Sequence, residues 1–279
     1  MARTNAAQTR VKPEKSELLT LQVRHRRRLS PSFARVTLGG DDLSRFTPLG
    51  RDQWFRLFLP VSENSLTRLP NRLDTLAYFR YLAIAKTERP VLRNYSVAAF
   101  RLTGERGPEL DVDFVLHGSA AEGTAGPAAT WAETCEPGDA VAILDEGILF
   151  TPPADLGGPL AVVGDETALP AIAGILSSLP SEVVGTALIE VPAPGDVRDL
   201  DAPAGVEVRW IVRVDPQSTP GAAVRDAAVE ASAGAVPPAY AWVAGEQSLV
   251  AAMRRHWVRT GVDKRAISFT GYWRAPRGH

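Results

Sequence analysis

The sequence predicts two domains, an antiparallel β-barrel followed by a three-layer α/β domain with a parallel sheet. Two observations predict this order. From Leu18 to about Asp145, apolar and polar residues alternate in short runs separated by turn signals, a pattern typical of antiparallel strands. From Leu160 onward, short apolar strands alternate with helical patterns, as in a parallel sheet covered by helices. The proline- and glycine-rich segment 151–159 separates the two patterns and is predicted to be a linker.

The first domain is assigned to residues 17–152, after a disordered N-terminal tail at residues 1–16. Its predicted strands are runs in which every second residue is apolar, and they include Leu19–Val23, Val36–Leu38, Phe55–Leu59 and Leu110–Leu116. Residues 62–90 interrupt this alternation. Within them, the segment Leu73–Ala85 is predicted to form an inserted helix, and an irregular insertion is the alternative.

The second domain is assigned to residues 153–279. Its predicted strands are Leu160–Val163, Thr186–Val191, Val206–Val212, Tyr240–Ala244 and Ala266–Phe269. Its predicted helices contain Leu169–Leu179, Ala222–Ala231 and Leu249–Trp257, and the last of them has an apolar stripe at every fourth residue, formed by Leu249, Met253 and Trp257.

Composition excludes several classes of protein. Among 279 residues, 31 Lys and Arg balance 32 Asp and Glu, and this charge argues against a protein that coats nucleic acid. The single cysteine, Cys135, excludes an internal disulfide and a cysteine-rich metal site, and it is interpreted as a small packed residue inside a helix. The four histidines have no metal-ligand spacing, so no bound metal is predicted. No run approaches ~18 apolar residues, so no membrane span is predicted and the cytoplasm is the expected compartment.

The first segment that could carry chemistry is Arg93-Asn94-Tyr95-Ser96, on a predicted strand. Arginine can bind a phosphate with two nitrogens. Tyr95 would project from the same strand face as Arg93 and could lie against a flat ring system, with the Ser96 hydroxyl near a polar ring edge. Taken alone, the segment fits an ordinary barrel strand better.

The second segment begins where the strand ending in His117 and Gly118 stops. His117 shares a predicted strand face with Asp113 and Val115. A helix is then predicted to start at Gly126-Pro127-Ala128-Ala129, because proline favours the first helical position. The free N–H groups of such a helix start favour a phosphate. Taken alone, a solvent-facing histidine and an ordinary capped helix explain this segment better.

Three segments of the second domain are further candidates, two at strand ends and one near the C-terminus. Asp165, Glu166, Thr167 and Ala168 follow the first strand, where an α/β domain binds a nucleotide pyrophosphate, although two carboxylates would repel phosphate unless they point away. Gly245 and Glu246 follow a later strand and open a helix. Tyr272, Trp273 and Arg274 stand near the C-terminus, where the aromatic residues could dock on the core or shield a flat cofactor.

Two other chemistries lack their motifs. The sequence has no G-x-S-x-G nucleophile elbow and no G-x-x-x-x-G-K-[ST] phosphate loop. It also lacks G-x-G-x-x-G, the ordinary dinucleotide fingerprint.

In this order, the segments resemble the siderophore-interacting proteins, which are FAD-dependent ferric-siderophore reductases related to the ferredoxin reductases. The resemblance runs from about Leu21 to Arg274. RPVLRNYSV is similar to the flavin-binding strand of the family, and DVDFVLHG followed by GPAATWA is similar to its pyrophosphate-binding segment. GDETALPAI, AGE and GYWR resemble its remaining signatures.

The resemblance implies a role for each candidate. Arg93, with Asn94 beside it, would hold the phosphate side of FAD, Tyr95 would stack on the flavin, and Ser96 would bond near its ring. A second set would contact the rest of FAD, and it comprises Asp113, Val115, His117, Gly118, Gly126, Pro127, Ala128 and Ala129. The residues that would line the nicotinamide side are Asp165, Glu166, Thr167, Ala168, Gly245 and Glu246. Tyr272 and Trp273 would close the flavin pocket, and Arg274 would attract the substrate.

The function implied by the resemblance is electron transfer from NADH or NADPH through FAD to Fe(III) in a siderophore, with release of Fe(II). No catalytic side chain or protein-bound metal is expected, and a monomer without nucleic-acid or membrane partners is expected. The alternatives are a general NAD(P)H:flavin or quinone oxidoreductase and a non-catalytic flavin- or siderophore-binding module. For the coenzyme, Glu190 at a strand end could suit a ribose diol and Arg198 a 2′-phosphate, so the sequence leaves NADH and NADPH open.

Overall fold

The computed structural model describes residues 10–14, 16–62, 64–70, 75–118, 123–215 and 218–275. Its chain divides into two compact units. One unit, called the β unit below, comprises the described residues of 12–49 and 53–147. The other, called the α/β unit, comprises those of 10–11, 50–52 and 148–275. The predicted boundaries at residues 16 and 152 stay predictions.

The β unit is built on a seven-stranded antiparallel sheet. Along the chain its strands are β1 Leu18–Ser30, β2 Phe33–Gly39, β3 Trp54–Leu59, β4 Val91–Ser96, β5 Ala99–Gly104, β6 Gly107–Val115 and β7 Ala140–Gly147. Their order in the sheet is β4-β3-β7-β1-β2-β6-β5. Just after β4, the N–H of Val97 donates to the carbonyl of Gln53, and the N–H of Ala98 donates to the carbonyl of Asp111 on β6. The segment at residues 97–98 thus bonds to the residue before β3 and to β6, near the two ends of the sheet, so the predicted barrel is present only as a loosely defined one.

The interior of this barrel contains the alternating apolar residues that the sequence identified. Leu21, Val36, Leu57, Leu110 and Val112 are fully buried in one cluster. Because strand residues alternate between two faces, a period of two in the sequence produces one apolar face. The predicted inserted helix, Leu73–Ala85, is confirmed as α1 Thr75–Ala83. Residues 84–85 follow the end of the helix, and residues 73–74 lie outside the described residues.

The α/β unit has a five-stranded parallel sheet formed by β8 Leu160–Gly164, β9 Gly185–Val191, β10 Val206–Val212, β11 Tyr240–Glu246 and β12 Ile267–Trp273. The strand order is β10-β9-β8-β11-β12. The helices between the strands are α3 Leu169–Ser177, α4 Ala222–Ala231 and α5 Gln247–Arg259. A further helix, α2 Pro127–Thr134, belongs to the β unit.

This order places a topological switch between β8 and β11. The chain moves outward from β8 through β9 to β10 and then returns to β11 on the other side of β8. Ligands of open α/β sheets bind at such a point, beyond the carboxyl ends of the strands. Asp165 follows β8 and Gly245 lies near the end of β11, so two predicted site segments flank the switch.

Two details differ from the sequence analysis. The last strand ends at Trp273 and not at Phe269, because Gly245 and Glu246 continue β11 and pair with Gly271 and Trp273. Cys135 follows α2 and is not inside it, although it is packed as expected, with 2% of its surface exposed. Across the described part of the chain, every helix is too short or too polar to cross a membrane.

Candidate functional site

Strand β4 places the first predicted site residues on the β unit. The Tyr95 ring lies against Phe114 of the barrel interior, with ring centroids 4.4 Å apart, and burial raises the pKa of its hydroxyl. Arg93, on the same strand face, is exposed, and its Nη1 donates to the Leu92 carbonyl at 2.8 Å. Among the described residues no carboxylate pairs with Arg93. Asn94 is exposed and Ser96 is buried, on the alternate positions of the strand.

The predicted start of α2 is confirmed at Pro127, and α2 lies beside β2, β4 and β6. Trp131 of this helix contacts Phe114, with ring centroids 5.6 Å apart. Gly126 caps the helix without a side-chain hydrogen bond. The first N–H groups of a helix have no acceptor within it, so the backbone at Ala128 and Ala129 provides uncapped donors beside the strand that carries Arg93.

The loop that leads to α2 depends on Gly118. Its φ is +72°, in the region that favours glycine, and an added Cβ would lie 2.6 Å from the Thr124 carbonyl oxygen. The chain therefore passes itself closely just before the helix. His117 is exposed and follows the end of β6, so it lies beyond the strand face on which the sequence placed it.

Asp113 and Val115 have a different setting. The Asp113 carboxylate is buried and accepts hydrogen bonds from Arg35, at 2.6 Å from Nε and 3.0 Å from Nη2. Val115 ends β6 opposite Phe33. Asp113 therefore has a defined structural partner on the face opposite the apolar stripe, and the assignment of both residues to a cofactor stays a prediction.

At the switch point of the α/β unit, the Asp165 carboxylate is completely buried. Its Oδ1 accepts hydrogen bonds from the N–H and hydroxyl of Thr167, at 2.9 and 2.5 Å. Its Oδ2 accepts from the N–H of Glu246 at 2.6 Å and from Nε1 of Trp273 at 3.2 Å. Burial and the neighbouring Glu166 charge raise the pKa of Asp165 to about 7, against these hydrogen bonds.

Glu166 points away from the sheet edge into a buried ion triad. Arg213, the residue after β10, donates to both Glu166 oxygens at 2.7 and 2.9 Å and to Glu190 at 2.8 Å. Glu190 also accepts the N–H groups of Gly221 and Val224, each at 2.9 Å, and so caps α4. Burial alone would lower the pKa of Arg213, but the two carboxylates outweigh it and raise that pKa.

The triad corrects the interpretation of Glu190 as a ribose ligand. Its carboxylate is 0% exposed and already accepts three hydrogen bonds, so it cannot bind a ribose diol in this fold. Sequence analysis missed Arg213, although its position just after a parallel strand was a usable signal. It also missed Asp52, a buried acceptor for the N–H groups of Leu149 and Phe150 and for Nε1 of Trp242.

The remaining predicted residues lie at the ends of β11 and β12. Glu246 begins α5 by accepting the N–H of Ser248, and it accepts the N–H of Ala275 at 3.2 Å. Its burial opposes ionisation, but the hydrogen bonds from Ser248 outweigh this and lower its pKa. Ala168 is buried. Tyr272 is 36% exposed, Trp273 is half-buried, and Arg274 is exposed.

The structure therefore brings Asp165, Thr167, Gly245, Glu246 and Trp273 together in one place. It gathers Arg93, Tyr95 and the start of α2 in another, within the β unit. The assignment of each group to a nucleotide cofactor, and the roles of the individual residues, stay predictions.

Comparisons with known proteins agree with this arrangement. Residues 22–148 match the family model described as siderophore-interacting FAD-binding domain, and residues 159–276 match that of siderophore-interacting protein. The ferric vibriobactin reductase ViuB of Vibrio cholerae is 32% identical over 251 residues, 88% of this chain and 85% of that protein. A siderophore utilization protein from T. fusca has a similar structure, with a TM-score of 0.71 and 29% identity over 97% of each chain. The ferredoxin reductase of a carbazole 1,9a-dioxygenase shares the fold alone, with a TM-score of 0.64 and 16% identity over 94% of this chain and 69% of that one.

Proposed function

Because the chain belongs to the siderophore-interacting protein family, we propose that it is an FAD-dependent ferric-siderophore reductase that takes its electrons from NADH or NADPH. The observation that carries the proposal is the uncapped start of α2 beside the strand that bears Arg93. An unpaired guanidinium and free backbone N–H groups are the two kinds of donor that bind a pyrophosphate.

The donor chemistry of the β unit suits FAD. Arg93 and the backbone at Ala128 and Ala129 would bind the phosphates, and Tyr95 with Ser96 would contact the flavin ring. Gly118 is required because a side chain there would collide with the backbone leading into α2. When bound, FAD supplies the conversion of a two-electron donor into a one-electron reductant.

The chain itself contributes binding and orientation and no acid, base or nucleophile. The switch point between β8 and β11 would hold the dinucleotide, through the backbone of residues 165–168 and of Gly245. Arg274, which is exposed and has no ion-pair partner among the described residues, would attract the anionic iron chelate. Iron is the substrate: Fe(II) holds the hard oxygen ligands of a siderophore more weakly than Fe(III), so reduction releases it.

The decisive experiment is an anaerobic titration of the FAD-loaded protein. NADH or NADPH should bleach the yellow flavin colour, and ferric hydroxamate or catecholate complexes should restore it faster than free flavin or a quinone does. Faster recovery with quinone would support a general reductase, and a flavin that neither coenzyme bleaches would support a binding module. A protein that takes up no FAD would contradict both the ferric-siderophore reductase and the general flavin-dependent reductase.

The phosphate-binding part of the proposal has its own test. Arg93→Ala should weaken FAD binding by about tenfold to a hundredfold, since it removes a charged hydrogen-bond donor from phosphate. Arg80→Ala is the matched control, because Arg80 is an exposed arginine of the same unit on α1. Equal FAD affinity of both variants, measured by flavin fluorescence, would remove Arg93 from the site.

We also propose that the chain works as a monomer in the cytoplasm, where NAD(P)H is available. One FAD and one dinucleotide per chain are expected. Light scattering of the FAD-loaded protein tests whether it is a monomer, and fractionation of the native cells tests whether it lies in the cytoplasm.

A further inference from the structure

The carboxylate of Asp165 connects the ends of three neighbouring parallel strands. It follows β8, accepts the N–H of Glu246 at the end of β11, and accepts Nε1 of Trp273 at the end of β12. Two more donors come from Thr167, which begins the next turn. With four donors and no exposed surface, this carboxylate has no lone pair directed to solvent or to a ligand.

The close packing of Gly245 helps to hold the carboxylate in this position. The φ of Gly245 is +134°, and an added Cβ would lie 2.5 Å from Oδ2 and 2.8 Å from Oδ1 of Asp165. Only a glycine lets β11 pass the carboxylate at this distance. Any other residue would push Asp165 away from its donors.

These four donors match a carboxylate in its ionised form, which Asp165 adopts above its pKa of about 7. It accepts at both oxygens, whereas an amide accepts at one and donates at the other. In Asp165→Asn, the NH₂ group would face either Thr167 or the pair formed by Glu246 N–H and Trp273 Nε1–H. A donor would then face a donor at a fully buried position.

Trp273 is the member of this cluster that can contact a ligand. It is half-buried, so part of its indole is accessible at the carboxyl edge of the sheet, while its Nε1 is held by Asp165. An aromatic ring fixed at this edge provides a flat wall for the ring of a nucleotide.

We propose that Asp165 is a positioning residue. It does not bind the dinucleotide itself but fixes the Trp273 indole and the turn at Gly245 and Glu246 against which the dinucleotide rings lie. The inference rests on the proposed function, because it assigns this edge of the sheet to NAD(P)H.

The first test is spectroscopic and does not depend on activity. In full-length protein with ¹⁵N-labelled tryptophan, the indole N–H resonance of Trp273 is assigned by its loss in Trp273→Phe. A bond to a carboxylate moves this proton downfield and slows its exchange with water. Asp165→Asn should move it upfield and speed its exchange, whereas Asp196→Asn should leave it unchanged. Asp196 is the matched control, since it is also buried in the α/β unit and caps a turn through the N–H of Ala193.

The second test separates the two half-reactions of the FAD-loaded protein. Asp165→Asn and Trp273→Phe should each slow flavin reduction by NAD(P)H by about tenfold or more, because the rings are no longer oriented. The double variant should be no slower than the slower single variant, since both remove one interaction. Oxidation of the chemically reduced Asp165→Asn variant by a ferric siderophore should stay within about twofold of the parent, because Asp165 is fully buried and does not face the substrate.

The outcomes distinguish this inference from the proposed function. An unchanged Trp273 resonance in Asp165→Asn overturns the inference, and so do multiplicative losses in the double variant. If Asp165→Asn does not fold, Trp273→Phe still tests the claim, because a normal rate of flavin reduction in that variant contradicts it. If the parent protein is not reduced by NAD(P)H, the proposed function fails, and the resonance alone decides whether Asp165 holds the indole.

Discussion

Replacing Arg213 by methionine should strongly destabilise the α/β unit. The side chain of Arg213 is 3% exposed, and those of Glu166 and Glu190 are 0% exposed. Without the guanidinium, Glu166 loses both of its hydrogen bonds from Arg213, whereas Glu190 keeps two from the backbone of α4. Removing one partner of a buried ion pair typically destabilises a protein by about 3–5 kcal/mol, because the remaining charge stays buried. We expect a loss at the upper end of this range, since two carboxylates share this one cation.

Hydrogen exchange measures this loss in the α/β unit alone, which matters because a chain with two units need not unfold in one step. A loss of about 3–5 kcal/mol corresponds to exchange that is faster by roughly two to three and a half powers of ten in peptides covering β8, β9 and α4. Peptides of the β unit serve as the internal control. A change of less than about 1 kcal/mol near neutral pH would refute the assignment of a buried, shared cation.

Three further outcomes are expected. Burial raises the pKa of Asp165 from 3.8 to about 7, so between these pH values the folded form binds a proton that the unfolded form has lost. Its contribution to the free energy of unfolding should therefore fall as the pH rises from about 4 to 7. In a urea-denaturation series, Asp165→Asn should remove this pH dependence, and a variant whose free energy of unfolding changes with pH as in the parent would contradict the prediction. Burial raises the pKa of the Cys135 thiol to about 11, so a thiol reagent at pH 8 should label it only in denatured protein, and rapid labelling of native protein would show that the thiol is accessible. Because Glu190 is fully buried, Glu190→Gln should lower the stability of the protein and leave the ratio of kcat/KM for NADPH to that for NADH within about twofold of the parent. An altered ratio would show that Glu190 contacts the coenzyme.

Local patterns were enough to predict the scaffold. The stripe of Leu249, Met253 and Trp257 predicted α5, and all three residues are buried. The period of two through Leu110 and Val112 predicted β6 and its interior face in the same way. Both features depend only on residues a few positions apart, so the periodicity of a single segment is enough to predict them.

The side-chain partners at the sheet edge depend on the strand order and could not be predicted. Glu190 accepts the N–H groups of residues 31 and 34 positions further along the chain, and Asp165 binds Trp273 across 108 positions. Nothing in either segment encodes these partners. The same reason explains the extension of β12 to Trp273, since its pairing with Glu246 is visible only once β11 and β12 are neighbours.

The hydrogen-bond partners of the acidic residues also explain why these residues need not repel a phosphate at the sheet edge, as the sequence alone suggested they would. The carboxylates of Glu166 and Glu190 are turned inward to Arg213, and those of Asp165 and Glu246 accept backbone N–H groups. The acidic residues therefore connect the strand ends and helix starts, and the backbone and the Trp273 ring remain to contact the proposed dinucleotide. Neutralising one of these carboxylates should therefore alter the geometry of the site and not its electrostatic attraction for phosphate. The effect of Asp165→Asn on coenzyme binding should then be insensitive to ionic strength, whereas the loss of a direct charge contact would vary with salt.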